Sequence, residues 1–127
     1  MSKTKTWTAE TIAVGSELLL GGRLDTNSLF IADRLAACGS ELRYKTTVGD
    51  DLSDIVAALK TALRRARVVI LTGGLGPTID DLTREAVAQA TGHRLSRRKA
   101  ALDGMIARLV EWGRTPTTTQ FRQAMIP

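Results

Sequence analysis

Apolar and polar positions change rhythm several times along the 127-residue chain. "TIAV" (Thr11–Val14) is a short β-rich run that ends at Gly15. From about Thr26, Leu29, Phe30, Ala32, Leu35 and Ala36 recur at helical spacing. Asp25, Thr26 or Asn27 can cap that helix, and Gly39 stands just past its end. "LRYKTTV" (Leu42–Val48) alternates apolar with polar, as a strand nearer the edge of a sheet than its middle does. Ser53–Ala66 is amphipathic through Ile55, Val56, Leu59 and Leu63, with Ser53 the expected cap. "VVIL" (Val68–Leu71) is uninterrupted and β-branched, which predicts a strand buried on both faces. "IDDLTREAVAQATG" reads as a third helix closed by Gly92, with Asp80 and Asp81 at its start. "SRRKAALDGMIARLVEWG" reads as a fourth, closed by Gly113, and "RTPTTTQFRQAMIP" as a loop with at most one short helix.

Three strand–helix units in succession predict an α/β fold, a parallel sheet with right-handed crossovers and helices on both faces. The length suits one domain over residues 1–127. In such sheets ligands bind beyond the carboxyl ends of the strands. The unusual residues collect there. The first strand runs into Ser16 and Glu17, the second into Asp50 and Asp51, and the third into "TGGLGPTIDD" with Asp80 and Asp81. Glycine is common in strand-to-helix turns and aspartate in a first helical turn, so one such connection has a purely structural reading. Three on one rim point to a site.

Composition narrows the chemistry. Apolar residues make up 43% and charged residues 24%, the proportions of a water-soluble globular domain. No apolar run approaches the roughly 18–20 residues that span a bilayer. "MSKTKTWT" carries two lysines but no apolar segment of a signal peptide. The single cysteine, Cys38, excludes an internal disulfide and suits a reducing cytoplasm; in "RLAACG" it is expected as a small core residue. The net charge of +5 rests on Lys60, Arg64, Arg65 and Arg67, and on Arg94, Arg97, Arg98 and Lys99. These clusters read as solvated helix ends or as contacts for phosphate-bearing partners. With five aromatic residues in the chain, a base-stacking surface for nucleic acid is not expected.

The glycine loop suggests an anion. Gly73, Gly74 and Gly76 let backbone approach a phosphate, N–H groups at the next helix start favour negative charge, and Thr72 and Thr78 add hydroxyls. Carboxylates alone would repel phosphate, so their presence suggests a divalent cation such as Mg²⁺ or Mn²⁺ between them. The loop lacks the lysine of a P-loop and the spacing of a dinucleotide fingerprint. His93, Trp7 and Trp112 are expected to pack or lie at the surface.

"AVGSELLLGGRLDTNSLFIADRLAACG", "TVGDD" and "LTGGLGPTIDDLTREAVA", in this order, resemble the N-terminal domain of the CinA family of competence/damage-inducible proteins. That domain belongs to the wider molybdopterin-binding, or molybdenum-cofactor-biosynthesis, fold family. The resemblance runs from about residue 9 to the end, with Ser16 where threonine is usual. It implies a three-layer α/β/α fold. For the CinA branch it implies metal-dependent hydrolysis of ADP-ribose to AMP and ribose 5-phosphate, and for other branches binding or adenylylation of molybdopterin. Carried onto this chain, it implies Glu17 and Asn27 as pocket groups and Asp50 as a carboxylate facing the site. Gly73, Gly74, Gly76 and Thr78 become the phosphate cradle, and Asp80 and Asp81 metal- or water-orienting residues, with Asp50 and Asp81 the catalytic candidates.

CinA proteins run on past the equivalent of Pro127 through another strand and a proline–glycine loop, usually into a nicotinamide-nucleotide amidase domain. The resemblance therefore implies a domain short of its last strand, without the amidase. Two functions stay open: a metal-dependent nucleotide pyrophosphatase, and a non-catalytic nucleotide- or molybdopterin-binding module. An unpaired sheet edge would also favour a homo-oligomer, dimer or trimer.

Overall fold

The computed structural model describes residues 6–127. The two N-terminal lysines of the signal-peptide reading lie outside them. In order the elements are β1 (Thr8–Val14), α1 (Ser16–Leu19), α2 (Thr26–Ala37), β2 (Glu41–Val48), α3 (Leu52–Arg65) and β3 (Val68–Thr72). There follow α4 (Thr83–Thr91), β4 (Ser96–Arg97), α5 (Lys99–Glu111), a 3-10 turn (Thr119–Ala124) and β5 (Met125–Ile126).

β1, β2 and β3 form one parallel sheet in the order β2-β1-β3. The central strand is thus the first. β1 is buried from Ala9 to Val14, whereas all five residues of β3 are only partly covered. This corrects the expectation for "VVIL": β3 pairs with β1 on one side and lies at the sheet's margin. Its apolar run is earned from one face, where Val69 and Leu71 join Ile12, Val14, Ile55, Val56, Leu59, Ala62 and Ala86 in the core under α3 and α4. β2 is an edge strand, as its alternation predicts. Helices lie on both sides of the sheet, with α2 on the face opposite α3.

Helix ends follow local chemistry. Asp25 caps α2, accepting from the Ser28 N–H at 3.0 Å and from the Ser28 hydroxyl. α3 is capped by Asp51, not by Ser53: Asp51 Oδ1 accepts from the Asp54 N–H at 3.0 Å and from the Ser53 hydroxyl at 2.7 Å. Two residues of the "DLSD" start could serve, and the carboxylate, a stronger acceptor than a hydroxyl, takes the position. Gly92 ends α4 in the left-handed conformation. Cys38 lies exposed at the end of α2, outside the core expected for it.

One charge is buried in the sheet. Glu10 accepts from Arg65 Nε and Nη2, both at 2.8 Å, and from the Thr46 hydroxyl at 2.8 Å. The Arg65 guanidinium stacks on the Tyr44 ring at 3.6 Å. The α3 terminus is thereby fastened to the first two strands. β4 and β5, which the apolar pattern does not reveal, pair antiparallel and tie the α5 arm back to the chain's end.

Candidate functional site

Parallel pairing aligns the strand exits. Val14 faces Val48 and Ala13 faces Thr72, so the turns after all three strands open on one rim. The first two exits are locked together. The Ser16 N–H donates to Asp50 Oδ2 at 3.1 Å, and the Asp50 N–H donates to Ser16 Oγ at 3.0 Å.

Beside this lock lies a cleft of about 280 Å³, lined by Val14, Glu17, Leu18, Arg23, Leu24, Asp25, Thr26, Asn27, Thr72 and Gly73. Of the residues singled out in the sequence, Glu17, Asn27, Thr72 and Gly73 meet here. Ser16 and Asp50 stand on the adjoining rim. Gly74, Gly76, Thr78, Asp80 and Asp81 do not line the cleft. Arg23 was not singled out, yet it is the one cation of the lining. Its signal was available: it is the only basic residue in the connection from Gly15 to Thr26.

The glycine loop is built largely around its own chain. A Cβ on Gly73, whose φ is 82°, would stand 2.1 Å from the Val14 carbonyl oxygen. On Gly74, at φ 64°, it would stand 2.2 Å from the Thr83 hydroxyl. Thr83 donates that hydroxyl to the Gly73 carbonyl at 2.7 Å. Buried Arg84 donates Nη1 to the Leu75 carbonyl and Nη2 to the Gly76 carbonyl, each at 2.7 Å. Asp81 Oδ2 accepts from the Thr78 N–H at 2.9 Å and from its hydroxyl at 2.7 Å. Burial pushes the Asp81 carboxyl up, but the two Thr78 bonds, the Gly76 N–H and nearby Arg84 outweigh it, so its pKa falls below the usual value.

Asp80 and Asp81 therefore sit before α4, which begins at Thr83. The expected helix start at Ile79 is displaced because this segment closes a turn around Asp81. Arg122, from the 3-10 turn, donates to the Thr78 carbonyl at 3.1 Å and to Glu85 Oε1 at 3.0 Å, bracing the loop from the far end of the chain.

Among the described residues, no three His, Cys, Asp or Glu side chains gather as a metal-binding group. Carboxylates are available singly. Asp25 is committed to Ser28, whereas Glu17 makes no side-chain hydrogen bond among the described residues. That leaves Glu17 as the cleft's uncommitted anion, on the same lining as Arg23. A Mg²⁺ ion whose shell is completed by phosphate oxygens needs only one or two carboxylates, a requirement this donor set meets.

Residues 10–121 match the family described as "Probable molybdopterin binding domain". A solved structure of CinA from Thermoplasma acidophilum superimposes with a TM-score of 0.84 at 36% identity, covering 96% of this chain and 71% of that one. The chain belongs to the molybdopterin-binding domain family, in its CinA branch. A CinA-like protein of Acidobacterium capsulatum is 47% identical over 116 residues, 91% of this chain and 28% of the relative. The chain thus spans under a third of that relative's length. The tungsten cofactor synthesizing protein MoaB of Pyrococcus furiosus shares the fold more distantly, with a TM-score of 0.65 and 28% identity over 85% of this chain and 65% of that one. These likenesses agree with the parallel α/β architecture. No helix among the described residues is long and apolar enough to cross a membrane.

Proposed function

We propose that this domain binds a phosphorylated nucleotide- or pterin-type ligand in the cleft at the strand exits. The observation that carries the reading is the meeting of Arg23, Asn27, Thr72 and Gly73 on one lining, where a cation, an amide, a hydroxyl and bare backbone converge. Arg23 supplies a planar donor fork suited to phosphate. Asn27, on the first turn of α2, can read a polar ring edge or a sugar hydroxyl. The relation to the tungsten cofactor synthesizing protein of Pyrococcus furiosus and the match to the molybdopterin-binding family support a phosphorylated pterin as one such ligand.

A second reading, hydrolysis of ADP-ribose to AMP and ribose 5-phosphate, is favoured by one feature. Glu17 brings an uncommitted carboxylate to the same lining, where it could orient an attacking water or share a divalent ion with the phosphates. Asp50 and Asp81, the catalytic candidates from the sequence, each use one oxygen in holding the rim or the loop. We therefore assign them to positioning and the water-orienting role to Glu17.

Calorimetry with ADP-ribose, and with adenosine as the phosphate-free control, tests both readings. ADP-ribose should bind at least tenfold more tightly than adenosine, and Arg23→Gln should weaken it by about tenfold, or ~1.4 kcal/mol. Equal affinities, or a silent Arg23→Gln, would remove the phosphate assignment. Release of AMP that disappears in Glu17→Gln would establish the hydrolase; binding without release would select the binding module.

A further inference from the structure

A second cavity, of about 620 Å³, is lined by the glycine loop, α5 and β5 and shares no residue with the cleft. Its size falls within the roughly 300–1,000 Å³ of small-molecule sites. Leu75, Met105, Leu109, Trp112 and Ile126 make its walls apolar. Its polar residues are Arg84, Arg108 and Gln123, so the lining holds two cations and no carboxylate. Neither arginine forms an ion pair among the described residues. Buried Arg84 is committed to the carbonyls of Leu75 and Gly76, while Asp81, which feels its charge, bonds to Thr78 instead. Gln123 donates to the Leu75 carbonyl at 3.3 Å. Arg108 keeps its donors free, with its guanidinium 6.0 Å from the Trp112 ring.

Gly104 adds an independent observation. It stands inside α5, where glycine weakens a helix relative to alanine. Packing does not demand it, because a Cβ there would meet no atom of a neighbouring element within 4 Å. Gly104, Arg108 and Trp112 follow at intervals of four, so one helix face presents bare backbone, a cation and an aromatic ring in turn. We propose that this cavity binds a small organic anion with a flat aromatic body, of the arene carboxylate class. The ring packs over Gly104 against Met105, Leu109 and Trp112, and the carboxylate meets Arg108, whose planar fork matches it. The charge of Arg84, on the buried side, favours the same sign of ligand. A neutral apolar ligand would leave both charges unanswered, and a cation would be repelled.

Naphthalene-2-carboxylate is the probe and 2-naphthylmethanol its neutral control, each titrated into the chain by amide NMR, with circular dichroism confirming that every variant is folded. The carboxylate should bind saturably below about 1 mM, and at least tenfold more tightly than the alcohol. Shifts should centre on Leu75, Gly104 and the Trp112 indole and leave Asn27 in the cleft unmoved. Arg108→Gln should weaken the carboxylate at least tenfold and the alcohol by less than about twofold. Gly104→Leu, which fills the cavity, should weaken both at least tenfold; should it fail to fold, Gly104→Met takes its place with the same expectation. Absence of saturable binding, equal affinity for acid and alcohol, shifts centred on the cleft, or a silent Arg108→Gln or Gly104→Leu would each overturn the proposal. Affinity that falls as chain concentration rises would overturn it too, because a second copy would then fill the cavity.

Discussion

Glu10 shows how far one side chain can govern this sheet. It is fully buried on the central strand, and its stability rests on Arg65, with Thr46 adding a third bond. Hydrogen bonding to Arg65 holds its carboxyl below the usual range against the opposing effect of burial; the Thr46 bond and the Arg65 charge act the same way. An acid whose folded pKa is depressed contributes stability above its unfolded pKa and loses it as pH falls through the folded value. In Arg65→Met the guanidinium is gone while burial remains, so the Glu10 pKa should rise above its unfolded value. The folded state then binds the extra proton, and the variant should lose stability from about pH 4 toward pH 7, where wild type holds. Urea titrations at several pH values read the sign directly, and unchanged slopes would refute it. Asp81 obeys the ordinary rule. Asp81→Asn should be less stable than wild type at neutral pH, with the gap closing as acid protonates the wild-type carboxyl.

At the level of elements, the segment from Thr72 to Arg84 is best understood as a loop folded on itself. Arg84 bridges two carbonyls from a buried position, which an ammonium cannot reproduce with the same planar fork. Arg84→Lys should therefore loosen residues 73–82, seen as faster amide exchange confined to that loop, at a cost of about 2 kcal/mol. Gly73→Ala should be worse. It combines a positive φ with a Cβ driven into the Val14 carbonyl, neither of which a side-chain rotation can relieve, so a loss above about 3 kcal/mol is expected. Chemical denaturation compares the two variants. The strand–helix alternation and the stops at Gly39, Gly92 and Gly113 were legible, and the α2 cap was narrowed to Asp25, Thr26 or Asn27, because they depend on neighbours in the chain. The strand order was not. "VVIL" looks central because periodicity counts apolar residues but does not say how many strands lie beside them. The short pair β4–β5 escaped for a related reason: two residues per strand carry no period at all. Likewise the glycines announced a tight approach without saying that the approaching groups are Val14, Thr83 and Asp81.

Across the whole molecule, the rim unites what the chain separates. Ser16 and Asp50 are 34 residues apart and exchange two hydrogen bonds, while Arg122 reaches back 44 residues to the carbonyl of Thr78. Local sequence could nominate Glu17, Asn27, Thr72 and Gly73, but only the parallel register brings them to one lining and leaves Asp81 inside its own loop. This arrangement bears on the expected divalent ion. With no three-carboxylate group among the described residues, the ligand-free chain lacks the donors to dehydrate Mg²⁺ unaided. The ion should enter with the phosphates, sharing Glu17 at most. Calorimetry with MgCl₂ alone should thus show no saturable binding, and chelator should leave the melting temperature of the ligand-free chain unchanged. ADP-ribose should bind more tightly with Mg²⁺ than with chelator, and Glu17→Gln should reduce that metal dependence while leaving metal-free binding intact. Tight binding of Mg²⁺ to the chain alone would place the ion's site in the protein instead, and would return Asp80 and Asp81 to consideration as its ligands.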